Sequence, residues 1–413
     1  ANNVGVGYHA LCSNTTGASN TAVGKDALLA NTTACDNTAM GCGALKANTT
    51  GDFNTAVGFT ALTANTTADN NTAIGHMSLK TNNGSGHHNT AVGAFSLNSN
   101  TTAADNVAIG VNAMYANTTG ASNVAVGAEA LDANTTGSYI TAIGQCALGG
   151  NTTGAENVAV GQGSLQNNTT ASYNVAVGVS ALLTNTTGAN NTAVGHCALC
   201  ANTTGADNTA VGMKALFTNT IGIGNTAIGT YALQANTTAC ENTAVGYVAL
   251  STNTTGTANV AVGRGALQVN TTGGYNTSSG YNSLTENTTG TYNTAFGAEA
   301  LKVNTTGASN VAVGYYSLYA TTTGTGNVAA GVQAGDSVTT GIDNTLIGDH
   351  AGHQVTTGDN NLLLGHNAGT STSPNTITTG DNRIVLGDNS ITNAYIKVDW
   401  TVTSDLRDKM NIE

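Results

Sequence analysis

The residues with the most reactive side chains do not form a recognisable metal or catalytic motif. His196, Cys197 and Cys200 are the closest group of metal-ligand residue types, but no second ligand pair stands near them. A structural zinc site needs four ligands, which usually come as two spaced pairs. The seven cysteines are odd in number and spread through the chain, so disulfides between chains and free thiols both stay open. We predict no metal and no cofactor.

The acidic residues argue against a glycan-degrading enzyme. Such enzymes hold two carboxylates at a defined separation across the bond that they cleave. In this sequence Asp26, Glu129, Glu156 and Glu299 stand singly along the chain. We therefore predict that the protein is not an enzyme.

Composition and charge exclude further classes of function. Charged residues make up 8% of the 413 residues, against about 25% in a typical soluble protein. The formal net charge is −12, and because phosphate contacts need clustered Lys and Arg, we predict no binding of nucleic acid. No stretch approaches the roughly 18 consecutive apolar residues of a membrane span, so we predict no membrane insertion.

A repeat of 17 residues runs through most of the chain. Asn recurs at 20, 37, 54 and 71, then, after one extra residue, at 89 and onward, and Gly follows four residues later each time. One unit reads Asn-Thr/Val-Ala-Val/Ile-Gly-x-x-Ala/Ser-Leu-x-x-Asn-Thr-Thr-Gly/Ala-x-x. The period is too short for a helical solenoid, while Thr and Val favour strands and Gly favours corners. The repeat predicts an all-β fold, a parallel β-solenoid of about 22 turns over residues 1–370, each turn having two or three short strands.

Alternation along a strand assigns the repeat positions to faces. Val or Ile at the fourth position and Leu at the ninth are predicted to form the core columns: Val23, Leu28, Val57, Leu62, Val194 and Leu199. Ala at the third position points the other way but stays small and apolar, so it predicts close packing between chains at Ala22, Ala56 and Ala193. Because a single thin coil has a small core, we expect three coils to pack side by side as a homotrimer.

The Asn and Tyr residues each allow two interpretations. Asn-Thr-Thr at 14, 31, 48 and 65 matches the N-glycosylation pattern, but stacked acceptors would lie only about 4.8 Å apart, which favours a hydrogen-bonded ladder of Asn side chains. Tyr275 and Tyr292 share the seventeenth position in successive turns. Their rings are candidates for stacking on a glycan, and covering a corner of the coil is the alternative.

The Asn-Val-Ala-Val-Gly core at 157–161, 174–178 and 259–263 resembles the head repeat of YadA-type trimeric autotransporter adhesins. That resemblance implies left-handed parallel β-rolls with three chains side by side. The usual repeat of that family is shorter, and the Asn-Thr-Thr-Gly segment here is a departure from it.

The C-terminal end carries a second resemblance. Residues 404–413 read Ser-Asp-Leu-Arg-Asp-Lys-Met-Asn-Ile-Glu, which is similar to the start of the endosialidase-type intramolecular chaperone of phage tail spikes and fibres. The resemblance implies self-cleavage before Ser404, with Ser404 as nucleophile and Asp405 and Lys409 assisting, provided that a full chaperone domain follows. The alternative is a charged helix start with Ser404 as its N-cap. Residues 371–403 are predicted to form an irregular β tip between the shaft and this segment.

Together these features predict an extracellular structural and adhesive fibre. The expected role is a phage tail-fibre shaft that takes part in host attachment, with a glycan or protein on the host surface as its receptor. The alternative is a bacterial cell-surface adhesin or a subunit of an extracellular filament.

Overall fold

A computed structural model describes residues 2–393 and contains a parallel β-solenoid. Each turn contributes one strand of three residues, and 23 strands join in one parallel sheet. The register is constant, so that Thr192 pairs with Thr209 and Ala193 with Ala210. At about 4.8 Å per step, 23 strands give a rod roughly 105 Å long. The strands are β1 Val4–Val6, β2 Thr21–Val23, β3 Thr38–Met40, β4 Thr55–Val57, β5 Thr72–Ile74, β6 Thr90–Val92, β7 Val107–Ile109, β8 Val124–Val126, β9 Thr141–Ile143, β10 Val158–Val160, β11 Val175–Val177, β12 Thr192–Val194, β13 Thr209–Val211, β14 Thr226–Ile228, β15 Thr243–Val245, β16 Val260–Val262, β17 Thr277–Ser279, β18 Thr294–Phe296, β19 Val311–Val313, β20 Val328–Ala330, β21 Thr345–Ile347, β22 Leu362–Leu364 and β23 Ile384–Leu386.

The solenoid continues past residue 370, where the sequence predicts that the shaft ends. Strand β23 pairs in parallel with β22, with Leu363 opposite Val385, after a longer turn. The backbone N–H of Arg383 donates to Oδ1 of Asn361 at 3.0 Å, as the N–H of an Asn does in other turns. The predicted chaperone-like start at 404–413, with Ser404, Asp405 and Lys409, lies outside the described residues.

The interior of the coil is lined by the third-position Ala and the ninth-position Leu. Leu28, Leu62 and Leu199 are fully buried. The third-position Ala residues are equally inaccessible within one chain, and packing of these side chains between chains was therefore a wrong prediction: Ala22, Ala56 and Ala193. The coil is so narrow that one methyl group on the strand fills the space facing a Leu from the opposite wall.

The fourth-position Val residues point out of the coil, so their assignment to the core was also wrong. Val23, Val57 and Val194 are only half-buried, while the Ala before each of them is buried completely. In a three-residue strand the middle side chain faces one way and its two neighbours face the other. The prediction that inward and outward side chains alternate along the strand was therefore correct, but the inward side chain is the third-position Ala and not the fourth-position Val.

The last turns show that the third and ninth positions share one volume. Leu346 and Leu363 stand where other turns have Ala, and both are fully buried. Gly352 and Gly369 occupy the ninth position of the same two turns, where most turns have Leu. A Cβ added to Gly352 would lie 2.8 Å from Cδ2 of Leu346, and one on Gly369 would lie 2.6 Å from Cδ1 of Leu363. In these two turns the large side chain comes from the strand, and the opposite wall of the core carries only a glycine.

Two columns of buried Asn side chains close most of the described turns. Before the longer last turn, other residues replace the first Asn in one turn and the second Asn in three turns: Ile140, Thr321, Val338 and Val355. In the turn that starts at Asn20, the Nδ2 groups of Asn20 and Asn31 both donate to the carbonyl oxygen of Ala34, at 2.7 and 3.1 Å. Asn31 also donates to Oδ1 of Asn14 in the preceding turn at 2.8 Å. The backbone N–H of Asn37 donates to Oδ1 of Asn20 at 3.0 Å. The expected Asn ladder is thus present, and it satisfies polar groups that water does not reach.

Outside its single strand, each turn is made of tight bends rather than of further strands. Asp26 and Leu28 have φ angles of 57° and 47°, values that cost an ordinary residue energy. Both remain in register, because Asp26 N–H donates to Tyr8 O at 2.8 Å and Leu28 N–H to Ala44 O at 3.1 Å. Bonds between turns therefore hold the strained bends in place, and the predicted second and third strands are absent from the described turns.

The Asn ladder can be tested by replacing Asn208 with Ile. Ile140 shows that the first position accepts this shape, since Ile140 is buried there. In Asn208→Ile the N–H of Asn225 loses its acceptor, Oδ1 of Asn208, now at 3.0 Å. We expect a loss of about 1–3 kcal/mol in the free energy of unfolding, measured by denaturant titration. Ile140→Val is the control, with a loss near 1 kcal/mol or less; equal losses in both variants would contradict the role of the ladder.

The glycine corner after each strand gives a second test. Gly195 has a φ of 131°, and a Cβ there would lie 2.6 Å from the carbonyl oxygen of Gly212. We expect Gly195→Ala to lower the free energy of unfolding by about 2–4 kcal/mol, mainly because its positive φ strains any residue with a Cβ. The matched control is Gly205→Ala at the fifteenth position, where a Cβ would be similarly close to a carbonyl oxygen, 2.5 Å from that of Gly222, but where φ is not positive. Ala34 occupies the same position in another turn, so we expect a smaller loss in this control. A smaller effect at Gly195 than at Gly205 would refute this account of the corner.

Candidate functional site

The largest unusual surface is the outward side of the sheet, formed by the second and fourth positions of every turn. We call it the strand face. Fourth-position side chains remain substantially exposed, for example Met40 at 45% and Phe296 at 47%. No charged residue occupies either column in any of the 23 strands. The fourth column is apolar in every strand except β17, where Ser279 stands. Soluble monomers rarely expose a long apolar stripe, so the strand face is a candidate binding surface.

The regular register makes the strand face continuous along the rod. Val194 lies beside Val177 on one side and Val211 on the other, and the same relation repeats in the neighbouring turns. The second position is Thr or Val in strands β1–β21, so the neighbouring column is also β-branched. The sequence contained a signal for this face, because the second and the fourth positions, which alternate with the buried Ala, both lack charge in every strand.

Cys197 and Cys200, with His196, are the residues that come nearest to a metal-ligand group in the sequence. Nε2 of His196 lies 3.6 Å from Sγ of Cys197. Burial, and then the neighbouring Cys197, raise the pKa of Cys200 to about 11, so its thiol keeps its proton at neutral pH, whereas a metal ligand or nucleophile must lose it. Across residues 2–393 no group of three His, Cys, Asp or Glu side chains is placed to hold a metal ion. All seven cysteines are free in the structure.

One cluster of acidic side chains was not predicted from the sequence. Glu129, Asp132 and Cys146 line a cleft of about 300 Å³ with Gly149 and Gly150. The Sγ of Cys146 donates to Oε2 of Glu129 at 3.5 Å, and burial, followed by this hydrogen bond, raises the pKa of Cys146. The available signal was the pair of glycines in the next turn, which leaves space above the two carboxylates. A protonated thiol beside two acids is not an activated nucleophile.

The structure brings Tyr275 and Tyr292 together. Their ring centroids are 5.2 Å apart and the rings are nearly parallel, at 12°. Both residues are more than half exposed. The inner face of each ring is covered by the other, so only the outer faces and the edges are open to a glycan. Stacking of a glycan on this pair stays a prediction.

The Asn-Thr-Thr segments are poor acceptors for a sugar in the folded rod. Asn31, Asn48 and Asn65 are fully buried. The Nδ2 of Asn48 donates both to Oδ1 of Asn31 at 3.1 Å and to the carbonyl of Gly51 at 2.9 Å. An amide that uses both hydrogens inside the coil cannot carry a glycan without breaking the ladder.

None of the described residues forms a helix long and apolar enough to cross a membrane.

The acidic cleft yields a prediction about pH. Burial, and then the charge of Glu129, raise the pKa of Asp132 above its ordinary value of 3.8, which means that ionisation is less favourable in the folded state than in the unfolded state. Asp132→Asn should therefore stabilise the rod at pH 7, by at most about 1 kcal/mol for this half-exposed group. The gain should vanish below the unfolded pKa, where the carboxyl is protonated in both states.

The measurement is the melting temperature at pH 7 and at pH 3. Exposed Glu156→Gln serves as the control, with little change at either pH. A lower melting temperature of Asp132→Asn at pH 7 would contradict the prediction.

Comparisons of this sequence with known proteins identify no family. No model of a known protein family matches the sequence, and no curated protein matches it either. The resemblances to trimeric adhesin heads and to the phage-fibre chaperone therefore remain expectations from short motifs.

Proposed function

We propose that this protein is a structural and adhesive fibre, built as a side-by-side homotrimer in which the strand faces of three chains pack together. The single observation that carries the proposal is the uncharged, outward strand face, repeated over 23 strands. Burying this surface would supply the hydrophobic stabilisation that a single thin coil lacks. The proposal keeps the predicted trimer but moves its interface from the Ala column to the Val and Ile column.

A second and a third copy of the chain are the partners that fit this face best. The face repeats about every 4.8 Å along the rod, and only a partner of the same period and length can cover it throughout. It carries no charge to attract a charged ligand, whereas β-branched side chains interdigitate well with their own kind. A symmetric assembly of identical rods meets both conditions.

The proposed setting is extracellular, as the shaft of a phage tail fibre that contributes to host attachment. The rod form and the low charge suit a rigid spacer, and the resemblance of residues 404–413 to the phage-fibre chaperone favours this setting over a bacterial surface adhesin. In this proposal the protein has no enzymatic activity. Receptor contact falls to the variable outward positions away from the strand face.

Native mass spectrometry of the full chain tests the assembly. We expect a particle of three times 40.9 kDa. Replacing Val177, Val194, Val211 and Ile228 with Lys should release monomers, because each change places an unpaired charge in the interface. The solenoid itself should survive, since these side chains point outward.

The matched control places four Lys in the same four turns on another side, at Thr187, Thr204, Ile221 and Thr238, which are all exposed. This variant should keep the mass of the parent. A monomeric parent, or equal dissociation of both variants, would rule out the strand face as the interface.

A further inference from the structure

A second surface, separate from the strand face, centres on Arg264. Tyr247, Arg264 and Tyr281 occupy the sixth position of three successive turns. The guanidinium carbon of Arg264 lies 6.0 Å from the ring centre of Tyr247 and 5.5 Å from that of Tyr281. Its Nη1 donates to the hydroxyl oxygen of Tyr281 at 3.1 Å. The two rings hold a cation between them at a defined place on the rod surface.

The space beside this cation is a cleft of about 260 Å³. Its floor is Gly265, which has a φ of 67°. A Cβ at Gly265 would lie against Oδ1 of Asn282 and 3.5 Å from Oε1 of Gln268. The missing side chain therefore opens the cleft, and two amide groups converge above its floor.

The charge of Arg264 has no counterion in its surroundings. Among the described residues no carboxylate forms an ion pair with it, and it is exposed. It is also the single charged residue in 242–285, although the whole chain has 22 acidic residues. At physiological ionic strength charges farther than about 8 Å away are largely screened. Arg264 is the one charged residue among those that line the cleft. Glu299, in the turn after Tyr281, is paired with Lys302 at 3.0 Å.

We propose that this cleft binds a saccharide that carries a carboxylate, such as a uronic acid residue of a surface polysaccharide. Arg264 pairs with the carboxylate, and Gln268 and Asn282, which can donate and accept, bind ring hydroxyls. The face of Tyr247 or Tyr281 packs against the carbon atoms of the sugar ring. The cleft is slightly smaller than the roughly 300–1,000 Å³ of sites for drug-sized ligands, which suits one sugar ring at a time.

This inference deepens the adhesive part of the proposed function, but the cleft is complete within one chain. A side-by-side trimer would present three copies at one level of the fibre, so a polysaccharide would gain avidity from weak single contacts. Because the native mass tests the assembly and sugar binding tests the cleft, either can fail while the other holds.

The test compares methyl β-D-glucuronide with methyl β-D-glucoside on the full chain, by titration followed by NMR. The two probes differ in the carboxylate alone. We expect dissociation constants on the order of millimolar for the glucuronide, at least roughly tenfold weaker binding of the glucoside, and a glucuronide affinity that falls with added salt.

Three variants assign the roles. Arg264→Gln should remove the preference for the glucuronide, while Gly265→Ala should weaken both probes by filling the cleft. Tyr315→Ala is the control, because Tyr315 is an exposed sixth-position ring two turns beyond Tyr281 and should leave both affinities unchanged. Circular dichroism checks that each variant is folded. No binding of the glucuronide up to about tenfold above the expected constant, equal binding of the two probes, or an unchanged preference in folded Arg264→Gln would overturn the proposal.

Discussion

Most of the described turns are closed by two Asn side chains that donate to one carbonyl group, as Asn20 and Asn31 do to Ala34. The first of these bonds links the start of a turn to its end, and the second fixes the bend between them. A coil this thin cannot give each buried carbonyl a partner from the backbone alone. The Asn columns supply those partners, and because they also bond from turn to turn, they add to the backbone bonds that hold successive turns together.

The strained bends follow from that constraint. With the turn closed, the remaining residues must reverse direction several times in a short length of chain, and residues such as Asp26 and Leu28 adopt positive φ angles to do so. One such turn in isolation would not be stable. Repetition makes it stable, because each turn offers its neighbours the same set of donors and acceptors, which is the general principle of solenoid proteins.

The same repeat determines which positions are free to bind other molecules. Ala, Leu and Asn columns occupy the interior, and the strand face is uniform and without charge. The outward positions away from the strand face vary most from turn to turn, and they carry the Arg264 cleft and the Tyr275–Tyr292 pair. A uniform face suits assembly along the full length of the rod, whereas a single irregular cleft suits recognition at one level of it.

The sequence by itself determined the repeat, the class of fold, the burial of the ninth-position Leu and the Asn ladder, because a strict period imposes the same surroundings on every residue of a column. It also contained a signal that was not used: where Leu replaces Ala at 346 and 363, Gly replaces Leu at 352 and 369, which places both positions in one cavity. Only the tertiary structure decided which side of the strand faces inward. A pattern of small and β-branched residues gives the alternation but not its phase, and the phase depends on how much room the opposite wall leaves. Only the tertiary structure, likewise, brought Arg264, Gly265, Gln268 and Asn282 to one cleft, because contacts between turns join residues that the period places far apart in the chain.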